Sequence, residues 1–195
     1  MKVLFLGNVG SPLVEIIRSF DDEVIISSEK ITAEFLDLHQ PDFMVSYGYP
    51  FIIEEWVLKQ YPNKIINLHR SYLPWNRGAE PVIWSFLENT RKGITIHYVD
   101  QGIDTGDIIV QKEVDYKLEE SLNEHYKNLQ AELESLFKHH WESIKNGTCN
   151  SLEQQEEGSF HLQRDKEKYL ELFKNGEDII IKEILKFAEE RSFDY

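Results

Sequence analysis

Cysteine is almost missing from this sequence: Cys149 is the only one in 195 residues. That excludes an internal disulfide and any metal centre built on several thiolates, and no other residue pattern suggests a metal site. Basic residues are also scarce, with 21 Lys and Arg against 35 Asp and Glu, for a formal net charge of −14. No local run of Lys or Arg offsets that balance, so a groove for nucleic-acid phosphate is not expected. A small positive site for a folded anionic ligand remains compatible with it. Long apolar runs are missing too. No stretch approaches the roughly 18 apolar residues of a membrane span, and the run behind Met1 and Lys2 is too short for a signal peptide. The expectation is a cytoplasmic protein with no membrane partner. What is present suffices for a core: 41% hydrophobic and 12% aromatic residues, in a length suited to one domain with a tail.

Apolar runs with strand character alternate with helical patterns through the first two-thirds of the chain. Strands are expected at residues 2–6, 23–26, 42–46, 64–68, 94–99 and 108–114. Helices are expected at 12–19, 31–38, 54–60 and 80–87, with Pro12 at a first helical position, where its missing N–H costs nothing. This rhythm implies crossover connections, hence an α/β fold with a mostly parallel sheet covered by helices on both faces. In such sheets ligands bind beyond the carboxyl ends of the strands. From Leu118 to Ile144, apolar residues recur at steps of three and four, which marks one long amphipathic helix stopped by Asn146-Gly147. Its apolar stripe suits burial in the core or a homodimer interface equally. His139 and His140 read as helix-surface residues. Residues 148–163 are polar, and two helical patterns follow at 165–173 and 179–190. The division expected is a main domain over 1–147 and a C-terminal appendage over 148–195 packed on it.

Two segments carry chemistry. Asn67-Leu68-His69 begins at the carboxyl end of a strand, and residues two apart in extended chain point to the same face. An amide and an imidazole aimed at one point can stabilise an oxyanion and move a proton; a hydrogen-bonded strand-end Asn with a structural His is the competing reading. In Gly102-Ile103-Asp104-Thr105-Gly106, two glycines bracket a carboxylate between two strands, a pattern that by itself describes a tight turn.

Together these segments resemble the formyltransferase family, which includes glycinamide ribonucleotide transformylase, methionyl-tRNA formyltransferase and the sugar N-formyltransferases. The likeness runs over about residues 1 to 115 and rests on Asn67-Leu68-His69, Ser71-Tyr72-Leu73-Pro74, Arg77-Gly78, Gly93-Ile94-Thr95-Ile96-His97 and Gly102-Ile103-Asp104-Thr105-Gly106. The resemblance implies a Rossmann-like formyltransferase fold, a catalytic domain over 1–147, and a catalytic set of Asn67, His69 and Asp104. It also implies 10-formyltetrahydrofolate as co-substrate, held by Tyr49, Pro50, Phe51 and Ile52 of the loop after the third strand and by Gly102. Tyr72 and Arg77 are the candidates for contact with the acceptor; Arg77 could equally pair with an acid. His97 is read as structural, Asp100 and Asp107 as loop geometry.

The acceptor has to come from the differences within the family. The chain looks too short for the basic C-terminal domain of the tRNA enzymes and too acidic for tRNA. Gly7-Asn8-Val9-Gly10-Ser11-Pro12 departs from the phosphate loop usual in the purine enzymes. The runs from Tyr72 to Phe86 and from Lys92 to Ile109 look closest to the small sugar N-formyltransferases, which implies the amine of a nucleotide-linked amino-deoxysugar, used for surface polysaccharide, as acceptor. Glycinamide ribonucleotide and hydrolysis of formyl-folate are the alternatives. A non-catalytic folate- or sugar-binding module is the least favoured.

Overall fold

The computed structural model describes residues 1–155, 157–174 and 178–191. Glu156, residues 175–177 and residues 192–195, all within the expected appendage, lie outside the described residues. Strands β1 (Lys2–Gly7), β2 (Glu23–Ser27), β3 (Phe43–Tyr47) and β4 (Ile65–His69) alternate with helices α1 (Pro12–Arg18), α2 (Ala33–His39) and α3 (Glu55–Gln60). Then come β5 (Arg77–Gly78), α4 (Pro81–Leu87), β6 (Gly93–Tyr98), β7 (Ile108–Glu113) and α5 (Leu122–Lys145). The chain ends with β8 (Phe160–His161), two 3-10 helices (Gln163–Lys168 and Leu170–Phe173) and α6 (Ile181–Arg191).

Six strands form one sheet in the order β2-β1-β3-β4-β6-β7. The pairs β1–β2, β1–β3 and β3–β4 are parallel. Val3, Leu4, Phe5 and Leu6 are all 0% exposed, so β1 is covered on both faces. That explains its unbroken apolar run in place of alternation. The direction in which strands are added reverses between β1 and β3, the kind of switch point where open α/β sheets bind ligands. The parallel rhythm stops at β6. Val99 N donates to Ile65 O, Tyr98 N to Asp107 O and Val114 N to Lys92 O, so β6 runs antiparallel to both β4 and β7. The short 99–107 loop cannot make the crossover that a parallel neighbour needs.

Helix α5 starts at Leu122, not at Leu118 as its apolar spacing suggests. Ser121 and Glu124 form a reciprocal cap there, with Glu124 N donating to Ser121 Oγ (3.2 Å) and Ser121 N to Glu124 Oε2 (2.8 Å). Its buried stripe is Leu122, Leu129, Leu133, Phe137, Trp141 and Ile144, which places the predicted face in the core.

By its contacts the chain divides into two compact units, residues 1–69, 96–110 and 134–153 in the first, and 70–95, 111–133 and 154–195 in the second. Among the described residues, no helix is long and apolar enough to cross a membrane.

In the first unit, Trp141 is fully buried, edge-on to Phe43. Its indole N–H donates to Asp22 Oδ2 (2.9 Å), which also accepts from Lys145 Nζ (3.0 Å), while Asp22 Oδ1 accepts from the Met1 ammonium (2.8 Å). Burial pushes the Asp22 carboxyl up, but these three donors together hold it below its ordinary 3.8. A carboxyl depressed in the folded state contributes stability that is present above the unfolded value and lost as pH falls through the folded one. Asp22→Asn is therefore expected to be less stable than wild type at pH 7 and to close that gap below about pH 4. Urea denaturation at both pH values checks this, and a gap independent of pH would show that Asp22 is not held ionised by its donors.

In the second unit, β5 pairs in parallel with β8, which docks the tail against residues 77–78. Beneath them lies a buried polar network. Asn76 Nδ2 donates to Glu88 Oε2 (2.9 Å), Ser159 Oγ donates to the same oxygen (2.8 Å), and Thr90 Oγ1 donates to Asn76 Oδ1 (2.7 Å). His161 Nε2 lies 3.0 Å from Glu88 Oε1, and its ring stacks on Trp84 at 3.8 Å. Nearby, Lys92 Nζ sits over the Phe86 and Tyr116 rings and donates to Thr90 O (2.8 Å); burial pushes its ammonium down to about 8.

Candidate active site

The site is assembled by β4 and by the loop that joins β6 to β7, all within the first unit. In β4, Asn67 and His69 flank the buried Leu68 and share the opposite face of the strand. The 99–107 loop coils around Asp100, whose Oδ1 accepts from Gly102 N (3.1 Å) and from Thr105 Oγ1 (2.7 Å). A Cβ at Gly102 would lie 1.9 Å from Thr105 Oγ1, and one at Gly106 would lie 1.9 Å from Tyr98 O. Only glycine lets the loop close this tightly. Asp104, between them, has φ +54°, a left-handed conformation that Asp adopts more readily than most residues. Asp100 thus shapes the turn, while Asp104 is the carboxylate turned towards β4.

Asn67, His69 and Asp104 meet, and a fourth residue joins them. Asp104 Oδ1 accepts from Asn67 Nδ2 (3.1 Å), and Oδ2 lies 3.5 Å from His69 Nδ1. His97, at the end of β6, places Nε2 3.4 Å from Asp104 Oδ1 and 3.3 Å from Asn67 Nδ2, while its Nδ1 lies 2.8 Å from Tyr98 O. The His69 and His97 rings stand edge to face at 6.4 Å. His69 is 6% exposed and His97 1%, so water screens these charges little. A carboxylate flanked by two imidazoles and an amide can hold a proton, hand it on, and fix the orientation of the groups around it. The sequence carried a signal for His97: in Gly93-Ile94-Thr95-Ile96-His97, polar and apolar residues alternate, as they do in Asn67-Leu68-His69. Among the described residues, no group of His, Cys, Asp and Glu is arranged to hold a metal ion.

The loop after β3 belongs to the same unit. Tyr49 is pinned, its hydroxyl donating to Glu29 O (2.9 Å) and accepting from Ile31 N (3.1 Å), and its ring lies 5.4 Å from that of Phe51. Pro50, Phe51 and Ile52 are exposed, whereas Ile53 is buried in the core. Three consecutive exposed apolar residues on a pinned loop form a surface suited to a flat ring. Gly102 contributes its N–H to Asp100, as described above.

Tyr72 and Arg77 lie in the second unit. The Arg91 guanidinium sits over the Tyr72 ring at 5.3 Å. Arg77 donates from Nε (3.0 Å) and Nη2 (2.7 Å) to Gln154 Oε1, and from Nη1 to Glu157 O (3.0 Å). Its side chain therefore ties the 77–78 strand to the tail, a task with no sequence signature.

A family model described as formyl transferase matches residues 23–139. Among solved structures, the formyltransferase PseJ from Anoxybacillus kamchatkensis, in complex with UDP-4,6-dideoxy-4-formamido-L-AltNAc and tetrahydrofolate, is 42% identical. The match covers 96% of this chain and 100% of that one, with a TM-score of 0.91. A methionyl-tRNA formyltransferase from Syntrophus aciditrophicus is 40% identical over 104 residues, which is 51% of this chain and 33% of that protein. The phosphoribosylglycinamide formyltransferase of Bacillus subtilis is 41% identical over 88 residues, 45% of each chain. The chain thus spans less than half the length of these two curated relatives. With most of its length matched by the family model, and a structural relative covered from end to end, the chain belongs to the formyl transferase family.

Proposed function

We propose that this chain moves a formyl group from 10-formyltetrahydrofolate to the amine of a nucleotide-linked amino-deoxysugar. The observation that carries the chemistry is the convergence of Asn67, His69 and Asp104 within hydrogen-bond and ion-pair reach. Likeness to PseJ over the whole of that chain supports the sugar acceptor. The exposed Pro50-Phe51-Ile52 surface beside the pinned Tyr49 suits the folate's pterin ring.

In this reading the neutral amine attacks the formyl carbon while Asn67 and His69 donate hydrogen bonds to the formyl oxygen as negative charge develops there. Losing one such donor typically costs about 3 to 4 kcal/mol of barrier. Asp104 holds His69 through Nδ1, so that the far edge of the ring, with Nε2, is turned away from the carboxylate. Asp104 also relays the proton that the amine gives up. Tyr72 and Arg77 remain the candidates for acceptor contact, with Arg77 acting through the tail that it anchors. The same proposal treats residues 148–195 as an appendage serving a catalytic domain over 1–147. It includes cytoplasmic residence, no nucleic-acid partner, and a homodimer formed through a face other than the α5 stripe, which is buried in the core.

The test is an acceptor panel with 10-formyltetrahydrofolate: the free amine of the PseJ-bound sugar nucleotide, other nucleotide-linked amino sugars, and glycinamide ribonucleotide. Tetrahydrofolate release together with gain of one formyl mass on a sugar nucleotide is the expected result. Formylation of glycinamide ribonucleotide alone would replace the sugar by the purine precursor. Folate release with no acceptor present would make the chain a hydrolase.

A further inference from the structure

His97 is the one titratable group of the cluster that the chemistry above leaves without a task. Its Nδ1 faces Tyr98 O at 2.8 Å, and a carbonyl oxygen only accepts, so Nδ1 carries a hydrogen. A neutral His97 then has a bare lone pair at Nε2. That lone pair accepts from Asn67 Nδ2 at 3.3 Å, but it also faces the carboxylate oxygen Asp104 Oδ1 at 3.4 Å. Lone pair against carboxylate is repulsive. A single proton on Nε2 converts the contact into a charge-assisted one. The groups facing this ring are Asn67 and His69 of β4, Asp104 of the loop, and the Tyr98 carbonyl. Of these only Asp104 can bear the opposite charge.

We infer that His97 stores the proton shed by the ammonium form of the acceptor, receiving it through Asp104, and that this uptake releases an Asn67 N–H for the formyl oxygen. The inference rests on the formyl-transfer reading. An aliphatic amine is largely protonated at neutral pH and cannot attack until it loses that proton. The ammonium gives one proton to Asp104, which passes it to His97 Nε2. The neutral amine then forms its bond to the formyl carbon, the bond from that carbon to the folate nitrogen breaks, and a second amine proton goes to that nitrogen. Nothing is oxidised or reduced. A protonated Nε2 no longer accepts, so the Asn67 hydrogen that it held becomes available when the oxyanion develops. The stored proton returns to solvent by way of Asp104, whose side chain is 12% exposed against 2% for His97. His97 acts through Asp104 and is a positioning residue, not one in contact with substrate.

The experiment is a pH series of kcat/KM with 10-formyltetrahydrofolate and the free amine of the PseJ-bound sugar nucleotide, for wild type and His97→Gln. Glutamine keeps a hydrogen-bonding amide but has no second protonation state. A deficit of about 100-fold near pH 6.5, narrowing to about tenfold near pH 9 as a larger fraction of the amine arrives neutral, is expected. An equal deficit at every pH, as a structural role would give, overturns the inference, and so does no deficit at all. Circular dichroism and thermal melting establish that the variant folds, and His97→Asn is carried through the same series so that one misfolded variant does not decide the matter. Absence of wild-type turnover with this amine overturns the function beneath the inference instead, a result distinct from wild-type turnover with parallel pH profiles.

Discussion

Asp104→Asn is expected to lower kcat by about a thousandfold, inside the 10²–10⁴ range usual for a positioned acid–base group, while shifting stability by less than about 1 kcal/mol. The large effect follows from the number of partners that meet at one carboxylate: Asn67 at Oδ1, His69 at Oδ2 and His97 again at Oδ1. Asparagine keeps one carbonyl oxygen, which can still accept from Asn67. It presents an N–H where the other oxygen stood, and it can neither take a proton nor balance an imidazolium. The small effect on folding follows from the backbone. Position 104 has φ +54°, and Asn is among the few residues that adopt this conformation readily. Steady-state kinetics beside thermal melting separates the two. Because the cluster works as a unit, the Asn67→Ala/Asp104→Asn double variant should lose much less than the product of the single losses. A single variant within tenfold of wild type would remove Asp104 from the chemistry.

The central sheet was legible because strands covered on both faces must be apolar throughout, as Val3 to Leu6 are. The stripe of α5 was legible because a helix packed along one side repeats at three and four. Its first residue was not, since the cap made by Ser121 and Glu124 outweighs the apolar Leu118 in deciding where the helix begins. The antiparallel sense of β6 and β7 was hidden because alternation reports burial, not direction. The convergence of Asn67, His69 and Asp104 was legible only through the resemblance to the formyltransferases, because strand alternation in one motif and a glycine-bracketed turn in the other each have a structural reading of their own. Alternation put His97 on the polar face of β6, but it does not say that Asn67 and Asp104 meet it there. The particular contacts by which the tail docks escaped for a related reason. Two-residue strands carry no periodicity, and Arg77 meets Gln154 across 77 residues of chain.

Glu88→Ala is expected to destabilise the fold by about 3 to 5 kcal/mol, because it strips a buried network of its common acceptor. Glu88 is 8% exposed and receives Asn76 Nδ2 and Ser159 Oγ on one oxygen, while the other lies 3.0 Å from His161 Nε2 at ion-pair distance. Removing it leaves an amide and a hydroxyl short of an acceptor and an imidazole without its partner. Two of these groups come from the tail, and the third, Asn76, holds a left-handed turn at φ +58° immediately before β5. The loss should therefore loosen the β5–β8 pairing and the stacking of His161 on Trp84 as well. At roughly 2–4 °C per kcal/mol for a chain of this size, the melting temperature should fall by about 10 °C. Glu88→Gln is the discriminating companion. Its carbonyl oxygen still accepts from Asn76 and Ser159, and its amide still reaches His161, so its loss should stay near 1 to 2 kcal/mol. If the alanine variant melted within 2 °C of wild type, or the glutamine variant fell as far as the alanine one, the tail would owe its place to apolar packing and not to this network. If the ordering holds, Ser159 and His161, in and beside the polar stretch that follows Gly147, are the residues that fix the loop carrying Asn76 and Arg77.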